Sequence, residues 1–99
     1  VKNPIKHLNK TFDSRIRLGI MSALLVNDWL DFNGLKSLLE VTDGNLASHL
    51  KALEANAYIR VRKQFIGRKP RTSYQATSAG RKAFNDHLDE LEKLIKTSS

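Results

Sequence analysis

The chain has 99 residues, enough for one small core and too few for a second. A hydrophobic content of 40% excludes a disordered tail, and the absence of cysteine excludes disulfides, thiolate metal sites and thiol redox sensing. The formal charge of +7 is local: residues 55–85 carry eight Lys or Arg and no acid, while the other 68 residues hold nine basic and ten acidic side chains.

Localised cations matter because each phosphate they neutralise releases condensed counterions, so the basic segment fits a polyanionic partner. A solvated basic hairpin would show the same composition, and the segment in front of it decides between the two. No apolar run reaches the roughly 18–20 residues needed to cross a bilayer. The most apolar stretch, residues 19–26, reads as a core helix. No signal-peptide pattern is present, the start at Val1 leaves room for a removed upstream piece, and a cytoplasmic location is expected.

In chain order, Ile5, Leu8 and Phe12 are apolar at helical spacing, upstream of the first strong helix. Residues 13–26 place Ile16, Ile20, Met21, Leu24 and Leu25 on one helical face and Arg15, Arg17 and Ser22 on the other. Asp13 or Ser14 can cap this helix, and Asn27-Asp28 ends it. Residues 29–32 suit a single short strand pairing. Asn33 offers a cap for a brief helix over residues 34–40, with Leu35, Leu38 and Leu39 inward. Thr42 caps a third helix over residues 43–55.

The third helix is the informative one. Leu46, Leu50 and Leu53 anchor it, while Gly44, Ser48 and Lys51 lie opposite, flanked by Asn45, His49 and Ala52. Ordinary solvent faces favour Glu, Lys and Arg, which are better helix formers than Asn, Ser, His or Gly. A helix pressed into a major groove needs little bulk, several donors and acceptors, and no excess acid. Exposed polar residues without a partner are the bland alternative. The turn at residues 40–42 between two helices makes helix-turn-helix the better reading.

Residues 58–62 alternate apolar and basic, a half-buried strand with cations outward that continues through Phe65. The return strand is expected at residues 72–76, and residues 66–71 form the loop, shaped by Gly67 and Pro70. Arg68, Lys69 and Arg71 at its tip, with Arg62 behind them, suit phosphate contacts or entry into a minor groove. Phe65 and Tyr74 are expected to line the hairpin core. Thr77 caps a last helix over residues 78–96, in which Phe84, Leu88, Leu91 and Ile95 form a short seam beside Leu94.

The stretch Arg15-Ile16-Arg17-Leu18-Gly19-Ile20-Met21 resembles the opening helix of MarR/ArsR-type winged-helix regulators. Residues 35–39, 41–54 and Tyr58-Ile59 are similar to their helix-turn-helix, and residues 66–74 with 77–81 to their wing and the entry to their last helix. The resemblance covers about residues 13–84 and gains specificity from the order of several motifs. It implies a homodimeric transcriptional regulator binding double-stranded DNA, with a recognition helix in the major groove and a wing on the flanking backbone. Thr42 at the head of that helix joins Gly44, Asn45, Ser48, His49 and Lys51 as a candidate DNA contact. Where the family has Gly at the exit from this helix, the chain has Ala57, so Asn56 is expected to take the left-handed conformation.

The fold class expected is therefore mainly α with a small β-hairpin (α+β), a winged helix-turn-helix with N-terminal and C-terminal dimerisation helices. Residues 1–12 are assigned to an N-terminal dimerisation segment, 13–76 to the winged-helix core and 77–99 to a C-terminal dimerisation helix. Ile5, Leu8, Phe12, Phe84, Leu88, Leu91, Leu94 and Ile95 are the interface candidates, because exposed apolar stripes mark interfaces. Metal-responsive relatives use Cys or clustered His and acidic ligands, which are missing here. Asp86, His87 and Glu90 lie on adjacent turns of the last helix and read as a solvated face. No phosphate loop, HExxH pair or nucleophile elbow points to an enzyme, and no cofactor is implied. The runner-up is a winged-helix interaction module whose basic window meets an acidic protein. RNA binding lacks the aromatic platforms that single strands need. Any small-molecule effector is unspecified.

Overall fold

The computed structural model describes residues 5–97. One turn of 3-10 helix, Lys10–Phe12, precedes α1 (Arg15–Val26), β1 (Leu30–Asp31), α2 (Phe32–Leu39), α3 (Asp43–Ala55), β2 (Ile59–Ile66), β3 (Lys69–Ala76) and α4 (Ser78–Thr97). The three strands form an antiparallel sheet in the order β1-β3-β2. Expected residues 1–4 and 98–99 of the terminal segments lie outside the described residues.

Each α-helix starts at a short oxygen-bearing side chain that accepts an amide proton the helix cannot use. Ser14 accepts from Arg17 N at 3.3 Å, Thr42 from Asn45 N at 3.2 Å and Thr77 from Gly80 N at 2.9 Å. The cap of α2 is Asp31 rather than Asn33, accepting from Gly34 N at 2.7 Å. Helix α2 thus begins directly where β1 ends, and its inner stripe is Phe32, Leu35 and Leu39. That phase turns Leu38 outward, 61% exposed, against the expectation that it points in.

The core is built from Ile20, Met21 and Leu24 of α1, Leu35, the α3 stripe Leu46, Leu50 and Leu53, the sheet residues Ile59, Tyr74 and Ala76, and Phe84 of α4. Arg81 fastens α4 to the end of α1, donating to the carbonyls of Leu25 at 3.2 Å and Leu24 at 3.3 Å.

The exit from α3 differs from the expected one. Tyr58 N donates to Leu53 O at 3.0 Å and Ala57 N to Glu54 O at 2.9 Å, the paired bonds of a Schellman closure. In that motif the left-handed residue is the one after the cap, so Ala57 takes φ 60°. Asn56 stays at φ −85° and its amide donates to Ala52 O at 2.8 Å.

The N-terminal segment also departs from expectation. It is not an α-helix: residues 5–8 are turn and bend, followed by the 3-10 turn. Asn9 holds it down, its N–H donating to His87 Nδ1 at 3.1 Å and its amide to Tyr58 Oη at 3.0 Å. Phe12 is buried among Tyr58, Phe84 and His87, with ring centroids 5.5, 5.2 and 5.2 Å away. Phe12 and Phe84 are therefore core residues of a single subunit, not seam residues awaiting a partner. His87 is buried too, not part of a solvated face, because it lies on the same side of α4 as Phe84.

The hairpin is longer than expected. Its strands run to Ile66 and from Lys69, leaving a two-residue turn, Gly67-Arg68. Gly67 has φ 66°, and a two-residue hairpin with glycine at its first central position matches the right-handed twist of the strands. Pro70 sits opposite Phe65 in a part of β3 that β1 does not reach, so its missing N–H interrupts no ladder there.

Candidate nucleic-acid interface

Helix α3 turns its leucines into the core, which forces Gly44, Asn45, Ser48 and Lys51 to the surface, all of them exposed together with Thr42 at the cap. The acidic residue at the head of this helix, Asp43, is paired with Lys36 of α2 at 2.7 Å, which offsets a charge that would repel phosphate. His49 is half-buried on the side facing α1. Its Nδ1 accepts a hydrogen bond from Arg17 Nε at 3.0 Å, and Arg17 Nη1 also donates to Thr11 O at 3.2 Å. The arginine expected on the outer side of α1 thus reaches α3.

Strand alternation sorts the cations of the hairpin onto two faces. Ile59 and Val61, with partners Ala76 and Tyr74, face the helices, and Lys63 with its partner Thr72 continues that face. A hollow between α3 and the hairpin is lined by Ala47, Lys51, Glu54, Lys63, Thr72 and Tyr74 among others. Burial raises the phenol pKa of Tyr74 at the floor of this hollow, and the Glu54 carboxylate adds to the effect. Arg62 and Arg71 belong to the opposite face. Arg62 lies 4.0 Å over the ring of Trp29, a cation–π contact, and Arg71 Nε is 3.2 Å from Asp31 Oδ2.

The candidate residues therefore divide. Lys51 on α3 and Lys63 on β2 share one hollow with Glu54, Arg68 stands in the hairpin turn, and Lys69, paired with Ile66, lies on the same face as Arg62 and Arg71. Lys51, Lys63, Arg68 and Lys69 have no ion-pair partner among the described residues. Arg62 and Arg71 are held away from α3 by Trp29 and Asp31. Lys63 was missed because the sequence does not reveal how far the hairpin extends beyond the core. Trp29 lies just before, and Asp31 within, a two-residue strand too short to show any periodicity. Phe65, expected in the hairpin core, is 74% exposed because the hairpin outruns the helices beneath it.

A family model of winged helix DNA-binding domains matches residues 16–95. The chain belongs to this family. An uncharacterized protein of Methanocaldococcus jannaschii is 37% identical over 87 residues, which cover 88% of this chain and 95% of that one. Among solved structures, the winged helix resembles a transcriptional regulator homologue from Pyrococcus horikoshii, with TM-score 0.78, 32% identity, and coverage of 91% of this chain and 94% of that one. It also resembles Bacillus subtilis PadR in complex with operator DNA, with TM-score 0.68, 18% identity, and coverage of 76% of this chain and 48% of that one. The last likeness is one of fold. The resemblance to winged-helix regulators is borne out, and family and fold are those of DNA-binding transcriptional regulators rather than of an enzyme. Among the described residues, no helix is long and apolar enough to cross a membrane, and no group of three His, Asp or Glu could hold a metal ion.

Proposed function

We propose that this winged-helix domain reads duplex DNA in a sequence-specific manner, with α3 in the major groove and the hairpin on the flanking backbone. The observation that carries the proposal is the surface shared by α3 and the wing. Small hydrogen-bonding residues cover the outward side of the helix, Lys51 and Lys63 line the hollow between it and the hairpin together with the lone carboxylate of Glu54, and Arg68 and Lys69 at the end of the hairpin have no ion-pair partner among the described residues. Asn45 can bond an adenine edge, and Ser48 can donate to or accept from a base or phosphate. Basic residues on the hairpin fix register and orientation without reading sequence.

The domain acts as a two-fold dimer in this proposal. Within the subunit, Leu88 is 41% and Ile95 is 71% exposed, with Leu91 and Leu94 half-buried between them. Ile5, 58% exposed, and half-buried Leu8 extend the apolar surface at the N-terminal side. Pairing of α4 with its copy would cover this stripe and present two recognition helices to half-sites about one DNA turn apart.

Selection of bound sequences from a random duplex library, at a stated salt concentration, tests this reading. Enrichment of a palindrome is expected. Absence of any enriched sequence would contradict it and favour an acidic protein as partner.

A further inference from the structure

Arg17 does more than brace the fold. Its guanidinium can only donate hydrogen bonds, so the Nδ1 that faces it at 3.0 Å must present a lone pair. A neutral imidazole with an unprotonated Nδ1 carries its proton on Nε2. Nε2 makes no hydrogen bond within the described residues. No fully buried side-chain nitrogen among them lacks a partner, so Nε2 is not sealed from solvent. His49 lies four residues after exposed Asn45 on the same side of α3, on the edge of the outward face.

We infer that Arg17 is a specificity-determining positioning residue, which fixes His49 as an Nε2–H donor toward an acceptor atom on a DNA base edge. A free imidazole can offer either a proton or a lone pair, and so tolerates both acceptors and amino groups in the major groove. A ring locked by Arg17 offers only a proton. It suits guanine O6 or N7, adenine N7, or thymine O4, and it leaves the amino groups of cytosine and adenine unmatched. The lock also ties the recognition helix to the N-terminal segment, because the same guanidinium holds Thr11 O at 3.2 Å. The inference rests on the proposed entry of α3 into the major groove.

Two measurements test it. The first uses the free protein: ring-nitrogen 15N shifts of His49, recorded at about pH 8, where imidazole is ordinarily neutral. A single Nε2–H tautomer is expected, giving way to a mixture of tautomers in Arg17→Met. A mixture already present in the parent protein would overturn the inference. The second repeats the library selection with Arg17→Met and with His49→Ala, which leaves the bond from Arg17 to Thr11 in place. Both should lose about threefold to tenfold of preference at one and the same base pair. Combining them should cost no more than His49→Ala alone. An unchanged preference in Arg17→Met, or an equal loss on all sequences as expected for a phosphate contact, would overturn the inference while the reading by α3 stands. If the parent protein enriches no sequence, that reading fails and this inference with it.

Discussion

Gly80, in the first turn of α4, packs against the backbone of Tyr58 so closely that a Cβ at that position would collide with the Tyr58 carbonyl. The same carbonyl accepts from Thr77 N at 3.0 Å, so neither partner is free to move aside. The joint between the exit of α3, the start of β2 and the start of α4 depends on this contact. Gly80→Ala should destabilise the fold by about 1–3 kcal/mol, the range for overpacking, read as a lower urea midpoint. An unchanged midpoint would contradict the packing described.

The opposite sign is expected one residue before Tyr58. Ala57 holds a left-handed φ of 60°, which costs an L-residue but not glycine. Ala57→Gly should therefore stabilise by about 0.5–1 kcal/mol despite the greater freedom glycine has when unfolded. A lower urea midpoint for this variant would show that the Schellman closure at this helix end is misplaced.

Assembly can be probed without damaging the subunit. Phe12 and Phe84 are core residues, so replacing them would test folding and not association. Ile95 is 71% exposed, so the subunit of Ile95→Asp should still fold, unfolding in urea in one cooperative transition, and lose only the stability that association adds. Sedimentation equilibrium should show a dimer that this substitution dissociates. A parent protein that is monomeric at micromolar concentration would rule out the dimer.

How far the sequence was legible depends on the reach of the signal. The stripe Leu46, Leu50, Leu53 and the cap Thr42 lie within one helix, and the bounds of α3, Asp43–Ala55, are those expected from residues alone. The basic alternation of β2 was legible for the same reason. What failed was tertiary. Nothing near Phe12 in sequence shows that Asn9 will bond His87, 78 residues away, and turn the ring into the core. Arg17 and His49 are 32 residues apart, and only the crossing of α1 with α3 brings them together. The fate of the wing arginines was equally hidden, because Trp29 and Asp31 reach them through the pairing of β1 with β3.

That sorting of cations gives a distinct expectation for the wing. Lys63→Ala, Arg68→Ala and Lys69→Ala should each weaken binding on all sequences and flatten the salt dependence by roughly 0.9 per lost phosphate contact. Arg62→Ala and Arg71→Ala should change the slope less, since those side chains are already engaged by Trp29 and Asp31. Asn45→Ala and Ser48→Ala should instead lose discrimination at particular base pairs, by about 1–3 kcal/mol each. Anisotropy titrations against a matched and a mismatched duplex separate the two classes. Sequence-selective losses from wing variants, with uniform losses from helix variants, would mean the two elements are assigned backwards.

On the proposed reading, the surface formed by α3 and the wing is an electrostatic footprint for duplex DNA. The most direct test is the affinity of the parent protein for duplex DNA, followed by fluorescence anisotropy across a range of salt concentrations. If a dimer engages about 6–10 phosphates, the slope of log affinity against log salt should lie at roughly −5 to −9. A slope near zero, or no binding at low salt, would contradict the account.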